Sequence, residues 1–202
     1  IVNTAIGSLA RLTHRGAVAA DGKTGDGCGL LMKKPDGFLR AIAAEEGLTV
    51  ADRYAAGMVF LNQDKDRAQA ARDILVRELQ AEGLEVAGWR VVPTDPSACG
   101  EEALKSLPQI EQVFVNAPSD MDGAEFERHL YIARRRTEKA VDSADEAFYI
   151  PSLSASVLSY KGLVMPAYLP VFYKDLNDDR LESAICVFHQ RFSTNTWPQW
   201  RL

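Results

Sequence analysis

The chain has 202 residues, 47% hydrophobic and 25% charged, with 23 basic against 28 acidic side chains and a formal charge of -5. A chain of this size buries about 70% of its unfolded surface without help from disulfides or a structural metal. Its acidic balance argues against a nucleic-acid partner, and no apolar run approaches the roughly 20 residues of a membrane span, so no membrane partner is expected either.

The opening stretch, residues 1–12, sets Val2, Ile6, Leu9 and Ala10 on one helical stripe, and nothing before Ile1 supplies a cap, which suggests a chain that begins earlier. Residues 13–29, THRGAVAADGKTGDGCG, carry Gly16, Gly22, Gly25, Gly27 and Gly29 and must form a shaped loop. A phosphate cradle is a weak reading of it, because neither GxxxxGK[ST] nor a strand followed by GxGxxG is present. Cys28 runs straight into Leu30, Leu31 and Met32, so a buried strand position suits it better than a nucleophile's role.

From Pro35 onward elements alternate without a break in composition. Asp36 caps a helix bearing Phe38, Leu39, Ile42 and Ala43, stopped by Gly47; residues 54–61 read as a strand. Asp64 caps a longer helix with Ala68, Ala71, Ile74, Leu75 and Leu79 on its apolar stripe, Asp73 paired with Arg77, and Gly83 as stop. Residues 84–93 and 112–115 read as strands, and 97–106 as either a short helix or a loop. A third helix covers 122–141 with Phe126, Leu130, Ala133 and Val141 inward; its Arg134-Arg135-Arg136 run is an anion site or, among so many glutamates, a salt-paired face. Residues 148–160 are strand material and 166–176 a short helix. Strand-to-strand passages too short for crossover helices favour an α+β domain with layered sheets over a doubly wound fold.

The densest stretch is 182–200, ESAICVFHQRFSTNTWPQW. Ala184 to Phe188 are apolar at every position, which predicts a strand covered on both faces, and the polar run that begins at His189 then forms a binding loop at its mouth. Two roles fit Arg191: its planar fork can hold a carboxylate, with the Thr194 hydroxyl beside it, or it closes a salt bridge at a strand end. Cys28, Cys99 and Cys186 are odd in number and lack a CxxC pair, which argues against a disulfide framework, zinc or iron–sulfur site in this segment and fits a reducing, cytoplasmic setting. His14, His129 and His189 are isolated, without HxxxH spacing, so a metal hydrolase is a poor reading.

The segments HRGAVAADGKTGDGCGLL at 14–31, IARRRTEKAV at 132–141, YKGLVMPAYLPVFYKDL at 160–176 and HQRFSTNTWPQW at 189–200 resemble the amino-terminal glutaminase domain of the large subunit of bacterial glutamate synthases, along essentially the whole chain. The resemblance implies a class II amidotransferase of the N-terminal-nucleophile type, a four-layer αββα sandwich, with residues 1–202 as one partial domain. It implies an amino-terminal cysteine that attacks glutamine with its own α-amino group as base. Arg191 then matches the arginine that holds the glutamine α-carboxylate and Thr194 a hydroxyl of the same turn, while His14, Arg15, Gly16 and Asp26 match a supporting loop. FMN and an iron–sulfur cluster are implied for the complete subunit and none for this segment. The implied partners are L-glutamine, the remaining domains of the large subunit and a small NADPH-oxidising subunit. On the same footing the nucleophilic cysteine is expected before Ile1 and the Asn-Gly oxyanion donors after Leu202, so these 202 residues alone are expected to be inactive. A non-catalytic binding or assembly domain with the same fold is the alternative.

Overall fold

The computed structural model describes residues 1–141, 143, 145–191 and 198–201. In chain order the elements are α1 (Val2–Ala10), β1 (Cys28–Lys33), α2 (Asp36–Glu45), β2 (Tyr54–Leu61), α3 (Lys65–Ala81), β3 (Glu85–Val91), α4 (Glu101–Lys105), β4 (Gln109–Asn116), α5 (Gly123–Ala140), β5 (Tyr149–Ser154), β6 (Val157–Gly162), α6 (Leu169–Phe172) and β7 (Cys186–Gln190). They form two compact units. The first comprises Ile1–Pro35, Val92–Leu107 and Ser159–Leu202, and the second Asp36–Val91 and Pro108–Leu158. The α+β class expected from the sequence holds, with two antiparallel sheets.

In the second unit the strands run in the order β3-β4-β2-β5. Every residue of β2 is buried, and β4 is buried from Ile110 to Asn116. The inward stripes of α3 (Ala68, Ala71, Leu75, Leu79) and α5 (Phe126, Leu130, Ala133) join Val59, Leu61, Val113 and Val115 in one continuous core. Both helices begin where the sequence provides a cap. The Asp64 carboxylate accepts from the amides of Asp66 and Arg67, and that of Asp122 from Glu125. Glu111, 3% exposed, receives a two-pronged grip from Arg72, which keeps a buried carboxylate partnered. The Arg134–Arg136 run is the salt-paired face: Arg134 and Arg135 both bind Glu138, and Arg136 binds Glu82 at the end of α3, which also meets His129 at 2.6 Å. The expected Asp73–Arg77 pair does not form. Gln69 donates to Asp73, and Arg77 turns to the adjacent Glu78.

The first unit holds the three-stranded sheet β6-β1-β7, of which the first two residues of β6 fall in the second unit. Because β1 and β7 pair with Cys28 opposite Gln190 and Leu31 opposite Val187, alternate residues share a face. Cys28, Leu30 and Met32 face inward and are fully buried. The other face carries Leu31, Ile185 and Val187, which are 39%, 61% and 59% exposed. This corrects the expectation of a strand covered on both sides: β7 lies at one end of its sheet and only alternate side chains are shielded. The core beneath is aromatic. Tyr160, Phe172 and Tyr173 meet edge to face, Tyr160 donates to Asp175 and Tyr173 to the carbonyl of Lys161. Residues 97–106 resolve into a single 3-10 turn followed by α4, and the short helix expected at 166–176 breaks into α6 between two 3-10 turns.

Candidate active site

The site is built where β7 ends beside the glycine-rich loop that leads into β1. Pairing of β7 with β1 carries the chain to Gln190, and at Arg191 the backbone turns into the left-handed region, φ 78°. Among the described residues Arg191 is the only non-glycine with positive φ, a conformation that persists only where the surroundings impose it. The imposition is visible: the Arg191 amide donates to the carbonyl of Gly27 at 2.8 Å. Its side chain is 39% exposed, and Nε stands 3.5 Å from Oδ2 of Asp26. That same oxygen accepts the amide of Ala17 at 2.8 Å. Asp26 thus ties both limbs of the loop to the arginine and orients the fork.

Gly16 closes the arrangement. A Cβ at this position would overlap Nε2 of Gln190, so any other residue here would push the Gln190 side chain aside. Across the pair from Gly29, the imidazole of His189 lies where a Cβ would stand, 2.5 Å from Cε1. Partial desolvation and the nearby ammonium of Lys161 hold the His189 pKa below the ordinary imidazole value. The side-chain oxygen of Gln190 is buried and has no hydrogen-bond partner among the described residues.

Of the residues singled out in the sequence, the structure brings Arg191, Asp26 and Gly16 together. His14 and Arg15 stand apart on an exposed 3-10 turn, where the His14 ring meets only the carbonyl of Arg11 among the described contacts. Thr194, like Phe192 and Ser193, lies outside the described residues. The residue pattern assigns no separate role to Gln190 or His189, and the signal for them is indirect: glycines at 16 and 29 mark where the loop and β1 make room for those side chains. The three cysteines are unsuited to attack. Burial pushes the Cys28 thiol up to about 12 and the Cys99 thiol up to about 11, and it raises Cys186 as well. Among the described residues no group of three His, Cys, Asp or Glu side chains could hold a metal, and no helix is long and apolar enough to cross a membrane.

The sequence profile of the family "Glutamine amidotransferases class-II" matches residues 1–202, the full length of the chain. The chain belongs to the class-II glutamine amidotransferases. Within that family it is 40% identical over 201 residues to the glutamate synthase [NADPH] large chain of Bacillus subtilis, covering 99% of this chain and 13% of that protein. It is 42% identical over 205 residues to the glutamate synthase [NADPH] large chain of Azospirillum brasilense, covering 100% and 14%. The chloroplastic ferredoxin-dependent glutamate synthase 2 of Arabidopsis thaliana is 39% identical over 206 residues, covering 100% and 13%. The amidotransferase chain therefore spans about one seventh of the length of the curated relatives it matches.

Proposed function

We propose that this chain is the glutaminase portion of a glutamate synthase, hydrolysing L-glutamine to glutamate and ammonia, with the ammonia passed on to 2-oxoglutarate for reductive glutamate synthesis. The observation that carries the reading is the placement of Arg191: a half-exposed guanidinium, forced into a left-handed turn and aimed by Asp26, at the rim of a glycine-lined loop. A planar fork of this kind binds a carboxylate in two parallel hydrogen bonds, and the α-carboxylate of glutamine is the group to be held. A clamp remote from the amide fixes its carbonyl against the nucleophile, which lowers the barrier through orientation.

In this reading the thiolate of an amino-terminal cysteine adds to the amide carbon. The C–N bond breaks, ammonia departs with the proton returned by the α-amine, and water then cleaves the thioester to release glutamate. Cys28, Cys99 and Cys186 take no part, because their thiols stay protonated at neutral pH. Reduction of the 2-oxoglutarate adduct belongs to FMN and an iron–sulfur cluster outside these residues, with electrons from a small NADPH-oxidising subunit; two of the three relatives named above are NADPH enzymes. Three unpaired thiols, two of them buried, support a reducing, cytoplasmic location.

Arg191→Lys in the full-length protein is the direct test. A single ammonium loses the two-point grip, so the glutamine KM should rise at least about tenfold while synthesis from added ammonia continues. Unchanged glutamine kinetics would sink the assignment.

A further inference from the structure

The geometry points to Asp21 as the positioning residue of the glutamine site: its carboxylate clasps the tip of the glycine-rich loop to α4, and this clasp holds the base of the loop, with Asp26, against Arg191. The inference rests on the glutaminase reading above and adds a residue that acts through Asp26 and Arg191.

Residues 17–26 form a short hairpin, closed by the Val18–Gly25 bridge and by the Ala19 amide on the Thr24 carbonyl at 2.8 Å. Its two limbs end at Ala17 and Asp26, joined to each other by the Ala17 amide, and Asp26 meets Arg191. Its tip ends at Asp21, whose two oxygens have different duties. Oδ1 accepts the amides of Lys23 and Thr24, at 2.9 and 2.7 Å, and so shapes the turn itself. Oδ2 accepts the Thr24 hydroxyl at 2.5 Å and the amide of Glu102 at 3.1 Å, while the Thr24 hydroxyl also accepts the amide of Ala103 at 3.2 Å. The loop thereby supplies amide partners that α4 lacks from its own sequence, since Gly100 at its start has no side chain to cap with. Gly100 is required for the approach: a Cβ there would stand 2.5 Å from Oδ2 of Asp21. Lys23 adds a second tie to the carbonyl of Ser97. The anchor does not float, because the Trp200 indole donates to the carbonyl of Ala103 at 3.0 Å and Trp200 packs on Phe172 in the core. So many donors hold the Asp21 carboxyl far below the usual carboxylate range, with the Thr24 hydroxyl first among them.

Asp21→Asn separates the two duties. The amide oxygen still shapes the turn, but the nitrogen in place of Oδ2 cannot accept from Glu102. Gly100→Ala attacks the clasp more broadly from the helix side, because its Cβ would meet the hydroxyl and the amide nitrogen of Thr24 as well as Oδ2 of Asp21. In the full-length protein each substitution should raise the glutamine KM about tenfold, the scale of one lost cap, with kcat within about twofold of the unmodified protein and ammonia-dependent synthesis retained. The double variant should be no worse than Gly100→Ala alone, because that substitution already displaces the Asp21 oxygen that Asp21→Asn removes. A KM within about twofold of the unmodified protein in either folded variant, or a loss confined to kcat, overturns the positioning role. If the unmodified full-length protein hydrolyses no glutamine, the functional reading falls and takes this role with it; hydrolysis with an indifferent Asp21→Asn removes the role alone.

Discussion

The two units of the chain are held by different means. The second is a four-stranded sheet with helices α3 and α5 packed in one continuous apolar core, and its helices start at carboxylate caps supplied by the preceding residue. The first has a smaller sheet with Leu31, Ile185 and Val187 open on one face, and its loop is fixed by individual hydrogen bonds to Asp21, Thr24 and Asp26. Area burial stabilises a fold without choosing positions to a fraction of an ångström, whereas hydrogen bonds and glycine contacts do choose them. The residues proposed to bind substrate lie in the unit built by the second means.

The contrast can be broken most strongly at Phe126, fully buried on α5. Phe126→Ala should lower the unfolding free energy by about 3–5 kcal/mol, read from the shift in denaturant midpoint; a loss below about 1 kcal/mol would show that the core around it is not close-packed. The next effect is a pH dependence at Cys28. Its ordinary value of 9.0 rises to about 12 in the fold. Between these values the unfolded chain gives up the thiol proton and the folded chain keeps it. The stabilisation is therefore complete below pH 9 and is lost as pH rises toward 12, at most ~1.4 kcal/mol per pH unit. Cys28→Ala should flatten that slope in a series of unfolding curves; an unaltered slope would mean that the thiol ionises freely in the folded state. The smallest effect on stability and the sharpest on the site should come from Gly16→Ala. The backbone there, φ -112°, suits any residue, so only Gln190 must move. Stability should change by less than about 1 kcal/mol, while the glutamine KM of the full-length protein rises severalfold. A large stability loss with unchanged KM would reverse the comparison.

The second unit was largely legible in the sequence. The strand at 54–61, the Asp64 cap and the inward residues of α5 appear as the hydrophobic periods required. The first unit was less so. A run such as Ala184 to Phe188 looks the same whether both faces are buried or one apolar face stays open, and only the register with β1 distinguishes them. Asp26 and Arg191 each stood out as residues, but their pairing spans 165 positions of chain and depends on a left-handed turn at a residue type that gives no sign of one. Asp73 and Arg77 have the spacing of a helical ion pair, yet each takes another partner, a choice among surface side chains separated by tenths of a kcal/mol.

The left-handed backbone at Arg191 sets stability and binding against each other at one codon. Glycine or asparagine would adopt φ 78° at lower cost, by roughly 1 kcal/mol, so a selection for heat resistance alone would favour losing the arginine. A laboratory lineage evolved for thermostability without a demand for glutamine should drift at this position early, and the variants that rise would be sturdier proteins with an emptied clamp.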